Sequence, residues 1–444
     1  MTVPVLSFPN GIHPPGEKDR TSKMEIKKIS PKPGSIMVFP VSQHIGAPCE
    51  PLVEAGERVL IGQKIGDSPK PVSAPIHSSV SGTVKEIKDA LTPKGNLCKS
   101  VFIENDGLEE GIKPRDQAPD SAIPAREETL RRIREAGVVG LGGAGFPTHI
   151  KLNPPPGKKI DTIIVNAAEC EPYLTTDHRV MLEDSDRLVT GLEVILSLFP
   201  EAQGIIGIET NKPDAIEKMS SAIKGKSRIK VVGLVPKYPQ GSEKQLMYAC
   251  TKREVPSGGL PADIGCLVDN VDTVVAIARA VMLERPLIRR IVTLTGGCIA
   301  RAGNYEVRLG MKISELIDAI GGFSEEPYKI ISGGPMMGTS MYDLDVPIIK
   351  TSSAFLCFTE KEGKLPPERP CLRCGKCVDH CPMHLMPLEL NYHAINHDED
   401  QFIKNSGLDC LECGSCSFTC PAKRHLAQSI RAMRKDLMSR GKRA

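Results

Sequence analysis

The sequence predicts a multidomain chain: an all-β module, an α/β layer domain, a smaller β module, and a helical C-terminal domain rich in cysteine. Three observations predict it. Between Ser35 and Glu104, short strand-like runs alternate closely with Gly and Pro turns. From residue 125 to residue 288, strand-like and helix-like runs alternate, the pattern of an α/β layer. CLRCGKCVDHCP (Cys371–Pro382) and CLECGSCSFTCP (Cys410–Pro421) then repeat one C-x2-C-x2-C-x3-C-P pattern.

A chain of 444 residues should hold about three domains. Hydrophobic content of 40% and charged content of 25% are ordinary for a soluble protein. Aromatics make up 4% and Trp is absent, which argues against base-stacking platforms, so no nucleic-acid partner is expected. The net charge of +3 is too small to imply a polyanionic partner. MTVPVLSFPNGIHPPGEKDR lacks the cationic start and apolar run of a secretory signal. The two most apolar stretches, Leu188–Phe199 and Val271–Leu283, carry charges or fall short of a membrane span and read as core helices. The expectation is a soluble, cytoplasmic chain with reduced thiols, whose membrane association is peripheral.

Taken in order, residues 1–30 read as an extended segment and residues 31–106 as the first β module. Within it, APIHSSVSGTVKEI resembles part of a lipoyl- or biotinyl-type barrel-sandwich hybrid. The exposed hairpin with a central modifiable lysine is expected to be absent, and Lys70 sits in a Pro-rich loop, so the module is taken as a docking or scaffold unit. A polar linker (107–124) follows. The α/β domain (125–288) has strand-like runs DTIIVNAA, GIIGIET and IKVVGLV, with helices expected over 125–136, 186–198, 212–223, 242–249 and 273–283. Residues 289–350, with strands, a Gly-rich turn and a short helix over 313–320, resemble the SLBB type of β-grasp module. Residues 351–370 read as a connection into the cysteine-rich end, 351–444.

The cysteine spacing resembles that of two-cluster ferredoxins, which hold iron–sulfur cubanes on thiolates. Eight of the fifteen cysteines lie in this window. Three close thiolates wrap one cubane, Gly375 lets the backbone approach, and Pro382 and Pro421 turn the chain away. In two-cluster ferredoxins the fourth cysteine serves the other cluster. That implies Cys371, Cys374, Cys377 and Cys420 on one 4Fe-4S cluster and Cys410, Cys413, Cys416 and Cys381 on the second. The alternative is a pair of structural zinc sites. The mostly helix-compatible residues between Cys381 and Cys410 point to a helical ferredoxin.

The second informative stretch is GVVGLGGAGFPTHIKL (Gly137–Leu152). Its glycines fit G-x-G-x-x-G, but a helix precedes them and Pro147 follows, so the context is not that of a Rossmann turn. Without Cβ atoms they bring backbone N–H groups close to a phosphate or a flat ring.

GLGGAGFPTHIKL resembles the flavin loop of the FMN-carrying, NADH-oxidising subunit of respiratory complex I. NAAECEP (Asn166–Pro172) and DNVDT (Asp269–Thr273) resemble two further motifs of that family, in the same order. The whole arrangement is similar to the C subunits of the Rnf electron-transport complex. The resemblance implies FMN cradled by Gly140, Gly142, Gly143, Ala144, Gly145 and Phe146, with Lys151 near its phosphate or ring. It implies Asn166, Glu169 and Cys170 along the isoalloxazine, Asp269 and Asn270 on the far side, and Glu243 as a nicotinamide-site acid, with Glu169 and Glu243 as the catalytic pair. Ala168, Cys170, His149 and Ser242 depart from the family pattern.

A flavin between NAD(H) and two clusters converts a hydride pair into single electrons. The resemblance thus implies a peripheral subunit of an ion-translocating ferredoxin:NAD oxidoreductase on the cytoplasmic face of the cell membrane. Membrane subunits of the same complex would be its partners, and ferredoxin would be served indirectly. Two alternatives are a soluble cobalamin reductase of similar modules and a flavin-less iron–sulfur relay. GGPMMGTS (Gly333–Ser340) lacks the lysine of a P-loop and is not assigned phosphate. The basic tail, Lys423–Arg443, reads equally as a solvated helix face or as a site for anionic headgroups or an acidic partner.

Overall fold

The computed structural model describes residues 3–112 and 122–442, so half of the expected linker, 113–121, lies outside the described residues. At the centre is a parallel sheet ordered Val5–Leu6, Ile229–Leu234, Gln203–Glu209, Thr162–Ala167, Cys266–Asn270. The central run is apolar at nearly every position because both faces are covered. Ile163 and Val165 face the helices Ser185–Leu198 and Val271–Leu283, while Ile164 faces Leu246 and Met247 of the helix Glu243–Thr251. Each such isoleucine buried contributes about 1.5–3 kcal/mol. The expected helices are found within a few residues of their expected limits, and Arg126–Glu135 stops at Gly137, whose φ is +67°. The helix Thr176–Glu183 and the strand Cys266–Asn270 were not expected.

The first β module has a four-stranded sheet (Ile36–Pro40, Leu97–Asn105, Gly82–Leu91, Arg58–Val59) and a three-stranded one (Glu50–Pro51, Lys64–Asp67, Ile76–His77). Its core residues Met37, Phe39 and Ile103 lie in one cluster with Val292, Leu294 and Phe355 of the second β module, so the two share an interior. The second module is a six-stranded sheet ordered Thr339–Met341, Lys329–Ser332, Ala354–Phe358, Arg289–Thr295, Gly303–Arg308, Lys27–Ile29. Two readings are corrected here. Residues 354–358 are no connection: all five are buried, and the strand they form pairs with a neighbour on each side. The N-terminal segment is extended, but it adds an edge strand to each of two sheets.

Lys350 pins the modules together. It is fully buried, and its Nζ donates to the carbonyls of Pro75 (2.6 Å) and Gly137 (2.7 Å), one in the first β module and one in the α/β domain. Burial pushes its ammonium down to about 8.

The cysteine-rich end packs helices Pro387–Ile395, Glu399–Lys404 and Leu426–Ser439 around Leu390, Phe402, Ile430 and Leu437. Much of its basic tail is paired within the domain: Arg431 and Arg434 meet Glu412, and Arg440 and Lys442 meet Glu399. Among the described residues, no helix is long and apolar enough to cross a membrane.

Candidate functional site

A cleft of about 800 Å³ opens at the C-terminal ends of the parallel strands, where open α/β sheets place ligands. Its walls come from the glycine loop, the NAAECEP loop, Asp269–Asn270 and Gly241–Glu243. The structure brings all the predicted flavin-site residues to this cleft except Gly145, which supports the loop from behind.

The glycine loop closes on itself through Gly140 N–H to Phe146 O (2.9 Å) and Gly145 N–H to Gly140 O (3.1 Å). Leu141 holds it from below: its N–H donates to Thr273 Oγ1 at 2.9 Å, and its carbonyl accepts from Arg290 at 2.5 Å. Gly145 has φ +72°, and a Cβ there would lie 2.6 Å from Thr351 Cγ2, so only glycine fits. Gly142, Gly143 and Ala144 are exposed at the cleft. Among the described residues nothing accepts a hydrogen bond from their N–H groups, which suits an anionic or planar ligand.

Lys151 stands 3.4 Å from Asp269 and 3.8 Å from Glu243, and donates to Val268 O at 2.6 Å. Apart from that ion pair, the buried oxygens of Asp269 lack a hydrogen-bond donor. Such orphaned acceptors fit the hydroxyls of a ribityl chain. Asn166 donates to Gly241 O (2.7 Å), and Cys170 Sγ accepts from Gly241 N–H (3.2 Å), which fixes the Gly241 turn against the NAAECEP loop. Burial raises the Cys170 thiol well above its usual range. Asn270 works twice: its oxygen caps the helix Val271–Leu283 through Asp272 N–H (3.0 Å), and its amide donates to Asp177 (2.7 Å). Burial, and then the neighbouring Glu169, push the Asp177 carboxyl up.

Glu169, expected as a catalytic acid, has its carboxylate committed as a cap. It accepts from the N–H groups of Asp177 (2.7 Å) and His178 (3.3 Å) at the start of the helix Thr176–Glu183. Its own φ is +50°, and that of Tyr173 is +70°, conformations that cost about 1–3 kcal/mol each unless their surroundings impose them. Lys18 does so: its Nζ donates to the carbonyls of Glu169 (2.8 Å), Glu171 (3.0 Å) and Leu174 (2.5 Å).

Sequence reasoning missed several residues that line or brace the cleft. Lys18 gives no local signal, since it reaches the loop from the N-terminal segment. Glu171 is the second acid of NAAECEP; its carboxylate accepts from the N–H groups of Met336 (3.2 Å) and Met337 (3.1 Å), and burial raises it to about 7. The GGPMMGTS loop is thus part of the cleft wall. Lys94 also lines the cleft, exposed in the turn of a β-hairpin in the first β module, which corrects the expectation that this module lacks a hairpin with a central lysine. TPKGN between two strand-like runs is a hairpin signal that could have found it.

The cysteine repeat is kept in the backbone. Arg373 and Glu412, Gly375 and Gly414, and His384 and Lys423 occupy equivalent positions, and all have φ between +51° and +79°. Arg373 N–H donates to Cys371 Sγ and Glu412 N–H to Cys410 Sγ, both at 3.3 Å. Burial raises the Cys377 thiol, and its neighbours Cys420 and Cys374 raise it further. Burial likewise raises Cys381, Cys416 and Cys410, the last to about 12, with further pressure from one another or from Cys413. Seven of the eight thiols therefore fall into two neighbourhoods, Cys374, Cys377 and Cys420 in one and Cys381, Cys410, Cys413 and Cys416 in the other, each mixing the two repeats. Among the described residues no three His, Cys, Asp or Glu side chains are arranged to hold one metal ion, so this grouping is one of proximity. Clustered thiols that burial and one another's charge keep from ionising alone suit a cationic iron–sulfur group, which takes them as thiolates. Cys371 and Cys374 are exposed, whereas Cys381 and Cys413 are buried, and Cys413 also lines the cleft.

Family models match the chain in the order of its modules: the RnfC barrel sandwich hybrid domain over 6–108, the Nuo51 FMN-binding domain over 133–279, the SLBB domain over 291–340 and a 4Fe-4S dicluster domain over 370–425. Fold and site together define a flavin and iron–sulfur electron-transfer protein. The chain is 43% identical to the C subunit of the Na(+)-translocating ferredoxin:NAD(+) oxidoreductase complex of Acetobacterium woodii, over 99% of each chain. It is 47% identical to the C subunit of the proton-translocating complex of Clostridium ljungdahlii, over 98% of this chain and 95% of the other. The chain belongs to the family of C subunits of ion-translocating ferredoxin:NAD(+) oxidoreductase complexes, the Rnf complexes. Among solved structures, a NAD+-reducing NiFe hydrogenase in the H2-reduced state shares the fold at TM-score 0.50 and 16% identity, over 74% of this chain and 63% of that one.

Proposed function

We propose that this chain is the peripheral subunit through which an ion-translocating ferredoxin:NAD(+) oxidoreductase exchanges electrons with NAD(H). The observation that carries the reading is Cys413, which belongs to the inner thiol set and also lines the cleft of the glycine loop. FMN, when bound, exchanges a hydride pair with NAD(H) and single electrons with iron–sulfur clusters. The free N–H groups of Gly142, Gly143 and Ala144 bind its phosphate or ring, within a loop shaped by Gly140, Gly145 and Phe146. Asp269 and Asn270 take its polar chain, Lys151 balances charge beside Asp269, and Asn166 and Cys170 hold the Gly241 turn. Glu169 positions the NAAECEP loop, and Glu243, exposed at the mouth, meets the nicotinamide nucleotide.

Two 4Fe-4S clusters are held by Cys410, Cys413, Cys416 and Cys381 beside the cleft, and by Cys371, Cys374, Cys377 and Cys420 toward solvent. Exposed Leu372 and Phe418 flank this outer set, which faces the next subunit of the complex. The chain itself sits on the cytoplasmic side, carried by membrane-spanning partner subunits, and reaches ferredoxin through them.

The test is anaerobic cofactor analysis of the reconstituted chain with an NADH titration. About eight irons and one FMN per chain are expected, with flavin absorbance bleached by NADH. A chain that takes up FMN but is not bleached by NADH sinks the reading.

A further inference from the structure

The first β module contributes a cation to the nucleotide cleft. Its hairpin strands, Gly82–Leu91 and Leu97–Asn105, are joined by Thr92–Asn96. This turn is built to hold its shape. Thr92 N–H donates to Asn96 O (3.0 Å), Gly95 N–H donates to Thr92 O (2.9 Å), and Thr92 Oγ1 donates to Asn96 Oδ1 (2.8 Å), while Thr92 and Pro93 are buried. Pro93 and Lys94 line the cleft together with Gly140–Ala144 of the glycine loop. The module also braces that loop directly, because Ile45 N–H donates to Gly145 O at 3.0 Å. His44, whose protonation is disfavoured by burial and in part by the Lys94 charge, has its Cα 3.4 Å from where a Gly145 Cβ would stand.

Three cationic side chains line the cleft: Lys94, Lys151 and Arg290. Lys151 is paired with Asp269 and Glu243, and Arg290 with Asp272. Among the described residues Lys94 alone of the three has neither an acid nor a hydrogen-bond acceptor for its ammonium. It is an exposed point charge on a cleft that also holds the unpaired N–H groups of the glycine loop, and a lysine so placed suits a phosphate oxygen.

We propose that Lys94 binds a phosphate group of the nucleotide in this cleft, which makes the barrel-sandwich module a part of the binding site. The inference rests on the reading of the cleft as a site for FMN and NAD(H). Two ligands carry the same chemistry there, the monophosphate of FMN and the diphosphate of the dinucleotide.

The experiment uses the full chain, reconstituted anaerobically, as wild type, Lys94→Ala and Lys94→Arg. Dissociation constants are measured for FMN and riboflavin by fluorescence quenching. Those for NADH and reduced nicotinamide riboside, which has no phosphate, are measured by flavin bleaching. Lys94→Ala should weaken one phosphate-bearing ligand about tenfold, the effect of one charge-assisted contact at a half-open site, and Lys94→Arg should restore most of it. Weakened FMN with unchanged riboflavin identifies the flavin phosphate. Weakened NADH with an unchanged riboside identifies the diphosphate. Unchanged binding of all four ligands overturns the assignment, as does a loss equal for ligands with and without the phosphate in question. Wild type that neither binds FMN nor is bleached by NADH overturns the reading of the cleft, and the role of Lys94 with it. A responsive wild type with an indifferent Lys94→Ala overturns the role of Lys94 alone.

Discussion

Tyr238 Oη donates a 2.8 Å hydrogen bond to the backbone carbonyl of Cys413, joining the loop before Glu243 to the inner thiol set. Tyr238 is 1% exposed, and it lines the cleft. Tyr238→Phe should therefore cost about 1–2 kcal/mol of stability, the usual effect of orphaning a buried carbonyl, read by urea unfolding. The reduced-cluster EPR signal of the inner set should shift while that of the outer set is unchanged. Equal shifts in both signals would detach Tyr238 from the inner set.

Cys420 neighbours Cys377, and Cys381 neighbours Cys413 and Cys416. Cys420→Ser should lower iron from about eight to about four atoms per chain and remove the outer, solvent-side signal. Cys381→Ser should remove the inner one. Iron analysis with EPR checks both, and the reverse outcome would show that each repeat holds its own cluster.

Glu171 makes a pH dependence. Its folded carboxyl is raised to about 7 by burial, against 4.5 as the ordinary value. Between those values the folded chain binds more protons than the unfolded one, so stability falls as pH rises from about 4.5 to about 7 and is level above that. Glu171→Gln should flatten this contribution, worth on the order of 2 kcal/mol. Denaturation of flavin-free protein at pH 5 and pH 8 measures it, and identical slopes for variant and wild type would assign the dependence elsewhere.

Lys18 holds two residues of positive φ in place through three carbonyls. Lys18→Met keeps the length of the side chain but removes the donors. Charged hydrogen bonds are worth about 1.5–3 kcal/mol, so FMN affinity should drop at least tenfold as the NAAECEP loop relaxes. Fluorescence titration checks this, and retained affinity would show that the loop holds its strained shape alone.

Ligand chemistry was legible in the sequence wherever it dictates local spacing. The cysteine repeat and the glycine loop each place their atoms through a few consecutive residues, so both could be read without a fold. Lys18 and Tyr238 act across 151 and 175 positions of chain, and Lys94 reaches the cleft from another module. A lysine that ends on a carbonyl or at a cleft mouth has the same sequence signature as a solvated one. The strands Ala354–Phe358 and Cys266–Asn270 were missed for another reason. Five-residue runs gain their identity from the neighbours that cover them, which periodicity does not register. The capping role of Glu169 was not legible, because the N–H groups of Asp177 and His178 that it accepts from leave no pattern in the side chains.

The N-terminal strap also sets an order of events at synthesis. Val5–Leu6 pairs with Gly233–Leu234 and Lys27–Ile29 with Tyr305–Val307, while Asn10 and Gly11 bond to the carbonyls of Cys381 and His380. A chain made from its N-terminus releases this segment from the ribosome before any of those partners exists. The first strand of the strap waits, unpaired, until more than two hundred further residues have emerged, and Asn10 and Gly11 wait for more than three hundred. Lys18 lies within it, so the flavin loop takes its final shape no earlier than the strap docks, and docking is complete only when the first cysteine repeat has been made.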